Sequence, residues 1–137
     1  MNDDFTTPVP SRREVPHYHG DAVRALLVIA AILIVVSAFM LGASPLGGVA
    51  AVLAAIILVI VAGVTNPAQL WIHWVGAALA ALGALFFGST ALGSYRTGGI
   101  VSDPVAFIFT MALAIICLIA LYLATRTIRG MMLREPR

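Results

Sequence analysis

From Ala25 to Tyr95 the chain runs for 71 residues without a single Asp, Glu, Lys or Arg. A soluble domain carries about a quarter charged residues, whereas this 137-residue chain has 10% charged and 61% apolar residues. One crossing of the hydrocarbon core takes about 20 mainly apolar residues. A charge-free run of this length therefore holds several spans, and the class expected is an all-α membrane protein.

Helix-start chemistry divides the apolar sequence into four spans, at residues 22–41, 45–64, 67–87 and 104–125. Each follows a side chain able to accept hydrogen bonds from first-turn amides, namely Asp21, Ser44, Asn66 and Asp103. Three of these caps precede proline, in Ser44-Pro45, Asn66-Pro67 and Asp103-Pro104, where the missing amide hydrogen costs nothing. Gln69 stands where a capping box places its second side chain. The first span has twelve Leu, Ile, Val or Phe residues, which favour insertion by roughly 4–7 kcal/mol in total. Arg24 lies close enough to its start to snorkel to the headgroups. A cleaved signal peptide is the competing reading of this span, with "LGAS" (41–44) as processing site. The apolar run is too long for that, and the segment before it is long, proline-bearing and partly acidic.

The connections between the first three spans are short, which predicts a four-transmembrane-helix up-down-up-down bundle. Both termini then share a side, and that side collects Arg12, Arg13, Arg24, Arg126, Arg129, Arg134 and Arg137 against Arg96 alone on the other. The positive-inside rule puts both termini and "TNPAQ" (65–69) in the cytoplasm of a bacterial inner-membrane protein, with 88–104 as an outer loop. Residues 1–20 read as a flexible cytoplasmic tail too polar to fold alone. The transmembrane domain covers 21–125, and 126–137 reads as a basic cytoplasmic tail that continues the last helix for about a turn.

The third span differs in composition. Gly76, Ala80, Ala84 and Gly88 recur at strict four-residue spacing, and in lipid a strip of small residues lets helix backbones approach closely. Helix 3 is expected in the bundle interior or at a subunit interface, with Gly47, Ala51 and Ala55 of span 2 as a facing strip.

Several chemistries lack their residues. No ionisable side chain lies at mid-membrane depth, where pumps and transporters keep one. Small multidrug-resistance transporters need a carboxylate in the first span, where this chain has only Ser37. Quinone-linked thiol oxidoreductases need paired cysteines, and Cys117 is alone. The polar and aromatic pore residues of small fluoride channels have no match. A pore lined by hydroxyls, with Ser37 or Thr110, stays open. No nucleophile–base set or phosphate-cradling glycine loop occurs, so no enzymatic activity and no cofactor are expected. A net charge of +2 without a basic, aromatic-interleaved run excludes a nucleic-acid partner.

The histidines are the remaining candidates. His17 and His19 precede the first span, and His73 lies early in the third between Trp71 and Trp74, whose rings favour the headgroup level. The expected topology puts all three at one membrane face. They are the candidate metal ligands, with Asp21 or water completing a shell. A pH-responsive cluster and simple interfacial anchoring are the other readings, and anchoring is the expectation.

The segments "HYHGDAVRALLVIAAIL" (17–33), "GVTNPAQLW" (63–71) and "IALYLATRTIRGMML" (119–133) together resemble a group of small, uncharacterised four-helix bacterial membrane proteins. The resemblance implies the four-span fold and assigns no residue a role. The expected function is that of an accessory or structural subunit acting by helix association. Its partners would be the lipid bilayer and another membrane protein or a second copy of itself in a homo-oligomer. A small channel or transporter with an uncharged pathway is the alternative, and a metal-binding membrane protein a third.

Overall fold

The computed structural model describes residues 20–64 and 70–132. These form α1 (Gly20–Met40), α2 (Pro45–Val64), α3 (Leu70–Arg96), the short α4 (Gly99–Ser102) and α5 (Pro104–Met132), with no strand among the described residues. The four long helices are each long and apolar enough to cross a membrane.

Two helix starts have the capping geometry read from the sequence. The Gly47 amide donates to Ser44 Oγ at 3.2 Å and the Ala106 amide to Asp103 Oδ1 at 3.0 Å, with Pro45 and Pro104 opening α2 and α5. Asp21 differs, because α1 already includes Gly20. Its carboxylate lies within the first turn, where it still faces the positive end of the helix dipole. Asn66, Pro67 and Gln69 lie outside the described residues.

The α1–α2 turn closes by a Schellman motif. Gly42 takes φ +61°, its amide donates to Phe39 O at 3.4 Å, and the Ala43 amide donates to Ala38 O at 2.9 Å. The left-handed residue lets the last carbonyls of α1 find partners within the turn itself. Ser44 then caps α2, so the reversal satisfies its backbone without a charged residue.

The segment expected as an outer loop, 88–104, is mostly helix. α3 continues to Arg96 because its hydroxyls are absorbed locally: Ser89 Oγ and Thr90 Oγ1 both donate to Phe86 O, at 2.9 and 2.8 Å. Such back-bonding removes the polar signal for a stop. The break comes at Gly98, with φ +78°, and α4 follows before Asp103. The last helix continues past residue 125 by about two turns, where about one was expected. α5 runs to Met132 since Thr127 and Ile128 are buried and Thr127 Oγ1 donates to Leu123 O at 2.9 Å.

The packing is uneven. α3 pairs most extensively with α5, α1 lies against both α2 and α5, and α2 scarcely touches α3. Val23 and Leu27 of α1, Ala62 of α2, Ala77 of α3, and Ala124 and Ile128 of α5 form one buried cluster. α2 is the most peripheral span, burying only Ala55 and Ala62.

Candidate functional site

The α3–α5 seam is the most extensive helix pairing among the described residues. Ala77, Ala80 and Ala91 are buried on α3, facing a helix whose buried side includes Leu113, Cys117, Ala120 and Ala124. A Cβ placed on Gly83 would lie 2.7 Å from Cys117 Sγ, so the absence of a side chain at 83 is what brings the backbones together. Association in lipid depends on this kind of close dispersion contact.

Of the four-spaced strip, Gly76 and Ala80 are buried while Ala84 and Gly88 are half-buried. Each four-residue step overshoots a full helical turn by about 40°, so the strip rotates away from α5 as it climbs. Ala91 is buried instead. A Cβ on Gly76 or Gly88 would meet nothing within 4 Å, which identifies Gly83 as the glycine that the seam requires. Sequence reasoning passed over Gly83 and the facing strip of α5. The available signal was the recurrence of small residues at Ala114, Cys117, Ala120 and Ala124 in an otherwise Ile- and Leu-rich helix.

Of the three histidines, His73 alone lies among the described residues. His17 and His19 lie outside them. His73 is 4% exposed, whereas Trp71 and Trp74 are 61% and 52% exposed. Residues three apart share a helix face, so the two tryptophans look outward and His73 turns inward with Gly76, Ala77 and Ala80. His73 is thus directed into the bundle, while Trp71 and Trp74 are the exposed side chains of this turn. Among the described residues no three His, Cys, Asp or Glu side chains gather in a way that would hold a metal ion.

What the helices do build is an apolar cavity. Because α2 and α3 barely meet, a space of about 560 Å³ remains between them, floored by α1 and α5. Ala51 and Ala54 line it from α2, Ala80 and Gly83 from α3, and Ala30 and Ala120 from the floor. Ser37 supplies the one hydroxyl in its wall, and that hydroxyl donates to Ile34 O at 2.9 Å. Small residues on all four helices thus leave volume that larger side chains would have filled. A second, shallower hollow of about 420 Å³ lies between α1 and α2 near their turn, beside Phe39 and Pro45.

Comparison with protein-family models, with curated proteins and with solved structures gives no match to this chain.

Proposed function

We propose that this chain is a multi-pass inner-membrane protein that acts by helix association, as an accessory or structural subunit, and performs no chemistry of its own. The observation that carries the reading is the unclosed α2–α3 side of the bundle. Three helix pairings are extensive and the fourth is nearly absent, so the bundle keeps one open flank edged by exposed apolar side chains such as Ile57 and Leu82. A transmembrane helix of a partner, or of a second copy, laid along that flank would complete the ring.

An up-down-up-down order with both termini in the cytoplasm is part of the proposal. It is supported by the buried cluster that joins the start of α1, the end of α2, the start of α3 and the end of α5. That arrangement groups Arg24, Arg126 and Arg129, all exposed, at one end and leaves Arg96 at the other, as the positive-inside rule favours.

Crosslinking tests the association. Single cysteines at Ile57 and Leu82, in a Cys117→Ala background, are expected to give crosslinks to a second protein chain in native membranes. A cysteine at Ile56, exposed on α2 and about 160° around the helix from the cavity-lining Ala54, is expected to give none. A chain that yields no protein adduct from either rim overturns the reading.

The second reading is a small transporter or channel with an uncharged pathway. It is supported by the cavity, whose size falls within the roughly 300–1,000 Å³ of small-molecule sites and whose wall carries no charge. Solute flux into liposomes containing the pure protein supports it. Its absence across ions and apolar solutes removes it.

A further inference from the structure

We infer that the outward side of the end of α5, at Arg126 and Arg129, binds the phosphodiester headgroup of an anionic phospholipid in the leaflet at that end of the bundle. The inference rests on the membrane-spanning reading of the chain.

Depth puts the two arginines in the headgroup layer. α5 carries no charged side chain between Asp103 and Arg126, and this stretch, 104–125, is about 33 Å long at 1.5 Å per residue. The hydrocarbon core is about 30 Å thick, and each polar layer adds about 5–7 Å. Arg126 is therefore the first residue of α5 beyond the core. Arg129, about 4.5 Å further along the axis, still falls within the polar layer. The aromatic residues agree with this level. In the up-down order proposed above, the start of α3 lies beside the end of α5, and Ala77 and Ala124 share one buried cluster. Trp71 and Trp74 then stand level with the arginines, both exposed, as tryptophans at the headgroups are.

Packing on the opposite side of α5 fixes where they point. Ala124, Thr127 and Ile128 are buried, and Ala124 and Ile128 cluster with Val23 and Leu27 of α1. Tyr122, Arg126 and Arg129, at i, i+4 and i+7, share the other side and are all exposed. Helix neighbours three apart stand about 5–6 Å apart at Cβ, so both guanidinium groups can reach one phosphate. Two like charges this close repel, and a shared phosphate replaces the repulsion with charge-assisted, bidentate hydrogen bonds. Charge then selects the lipid class. The described charged residues at this end are Asp21, Arg24, Arg126 and Arg129, an excess of positive charge, whereas Arg96 and Asp103 balance at the other end. A zwitterionic lipid brings its own cation beside its phosphate. An anionic lipid does not, and each arginine near the surface favours it about fivefold. A water-borne acidic partner has to displace lipid to reach outward side chains at this depth.

The test uses the full chain in nanodiscs of phosphatidylcholine with a minor fraction of phosphatidylglycerol. After transfer to mild detergent, the lipid retained on the protein is counted by native mass spectrometry. Phosphatidylglycerol is expected in excess of its share of the bilayer. Arg126→Gln and Arg129→Gln, both at exposed positions, should each lower that excess about fivefold. Arg126→Lys, which keeps the charge but loses the fork, should recover part of it. Arg96→Gln removes the same charge at the other end and should leave the excess unchanged. No excess in the wild-type protein overturns the inference. So does an equal loss in the Arg96→Gln protein, which reports net charge alone, and so does retention undiminished in both single variants. Displacement of the lipid by added inorganic phosphate assigns the site to the free ion and overturns it as well. Extraction from membranes by alkaline carbonate, scored separately, tests the membrane-spanning reading on which the inference depends.

Discussion

Gly83 on α3 and Cys117 on α5 meet so closely that a methyl group at 83 would fall 2.7 Å from the sulfur but 3.6 Å from Cys117 Cβ. The conflict is thus with one atom. Gly83→Ala should destabilise the folded protein by about 1–3 kcal/mol, the range for overpacking a close-packed site. Cys117→Ala removes the sulfur and leaves the new methyl at ordinary contact distance. The double variant should therefore be more stable than Gly83→Ala alone, with a coupling well outside additivity. Unfolding in mixed micelles with increasing SDS measures all four proteins, and strictly additive losses would show that the two residues do not share this contact.

Gly42 poses a different constraint. Nothing lies within 4 Å of a Cβ built there, yet φ is +61°. Gly42→Ala should cost about 1–2 kcal/mol, the penalty for a left-handed L-residue, while Gly42→Asn should cost less because asparagine tolerates αL. Gly99 is limited by space instead, since its Cβ would lie 2.8 Å from Ser94 O. Gly99→Ala should loosen the link between α3 and α5, and hydrogen exchange at Val101 and Ser102 should rise. Equal stability of Gly42→Ala and Gly42→Asn would remove the backbone explanation.

The four long helices were legible because charge is excluded from all but their end turns and because Ser44-Pro45 and Asp103-Pro104 mark two of their starts chemically. Their ends were less legible. Ser89 and Thr90 look like loop residues in a list of types, but in a helix their hydroxyls return to carbonyls three or four residues back, so α3 passes through them. Pairing was harder still. The small residues of span 3 signalled close packing, yet α5 supplies the partner face through Cys117 and Ala120, and sequence adjacency had favoured span 2. The cavity could not be read at all, since it arises from the missing α2–α3 contact. The inward turn of His73 was available in principle from its spacing to Ala77 and Ala80.

Asp103 and Ser44 differ in the strength expected of their caps. Asp103 accepts from the Ala106 amide with a carboxylate at the positive end of α5, whereas Ser44 uses a neutral hydroxyl at 3.2 Å. Replacing an N-cap with alanine costs about 0.5–2 kcal/mol, and charge at a helix start adds about 0.3–1 kcal/mol. Asp103→Ala should therefore be the more damaging change, with Asp103→Asn recovering most of the loss. SDS titration of the three variants checks the order, and an equal cost for Ser44→Ala and Asp103→Ala would assign no weight to the dipole.

Gly76 and Gly88 make the opposite prediction to Gly83. Both lie within α3 at negative φ, and an added methyl at either meets nothing within 4 Å. Glycine inside a helix is less favourable than alanine by about 0.8–1 kcal/mol, in part because the unfolded chain loses freedom when the methyl is added. Gly76→Ala and Gly88→Ala should consequently be neutral or stabilising by up to about 1 kcal/mol, while Ala80→Leu, at a position 2% exposed, should be strongly destabilising. The contrast follows from geometry, since strict four-residue spacing leaves the seam by about 40° per step. It separates packing within one chain from packing between chains: if Gly88→Ala keeps the monomer stable but abolishes a crosslinked dimer, the upper end of the strip serves a second copy. If it changes neither, Gly88 has no packing role.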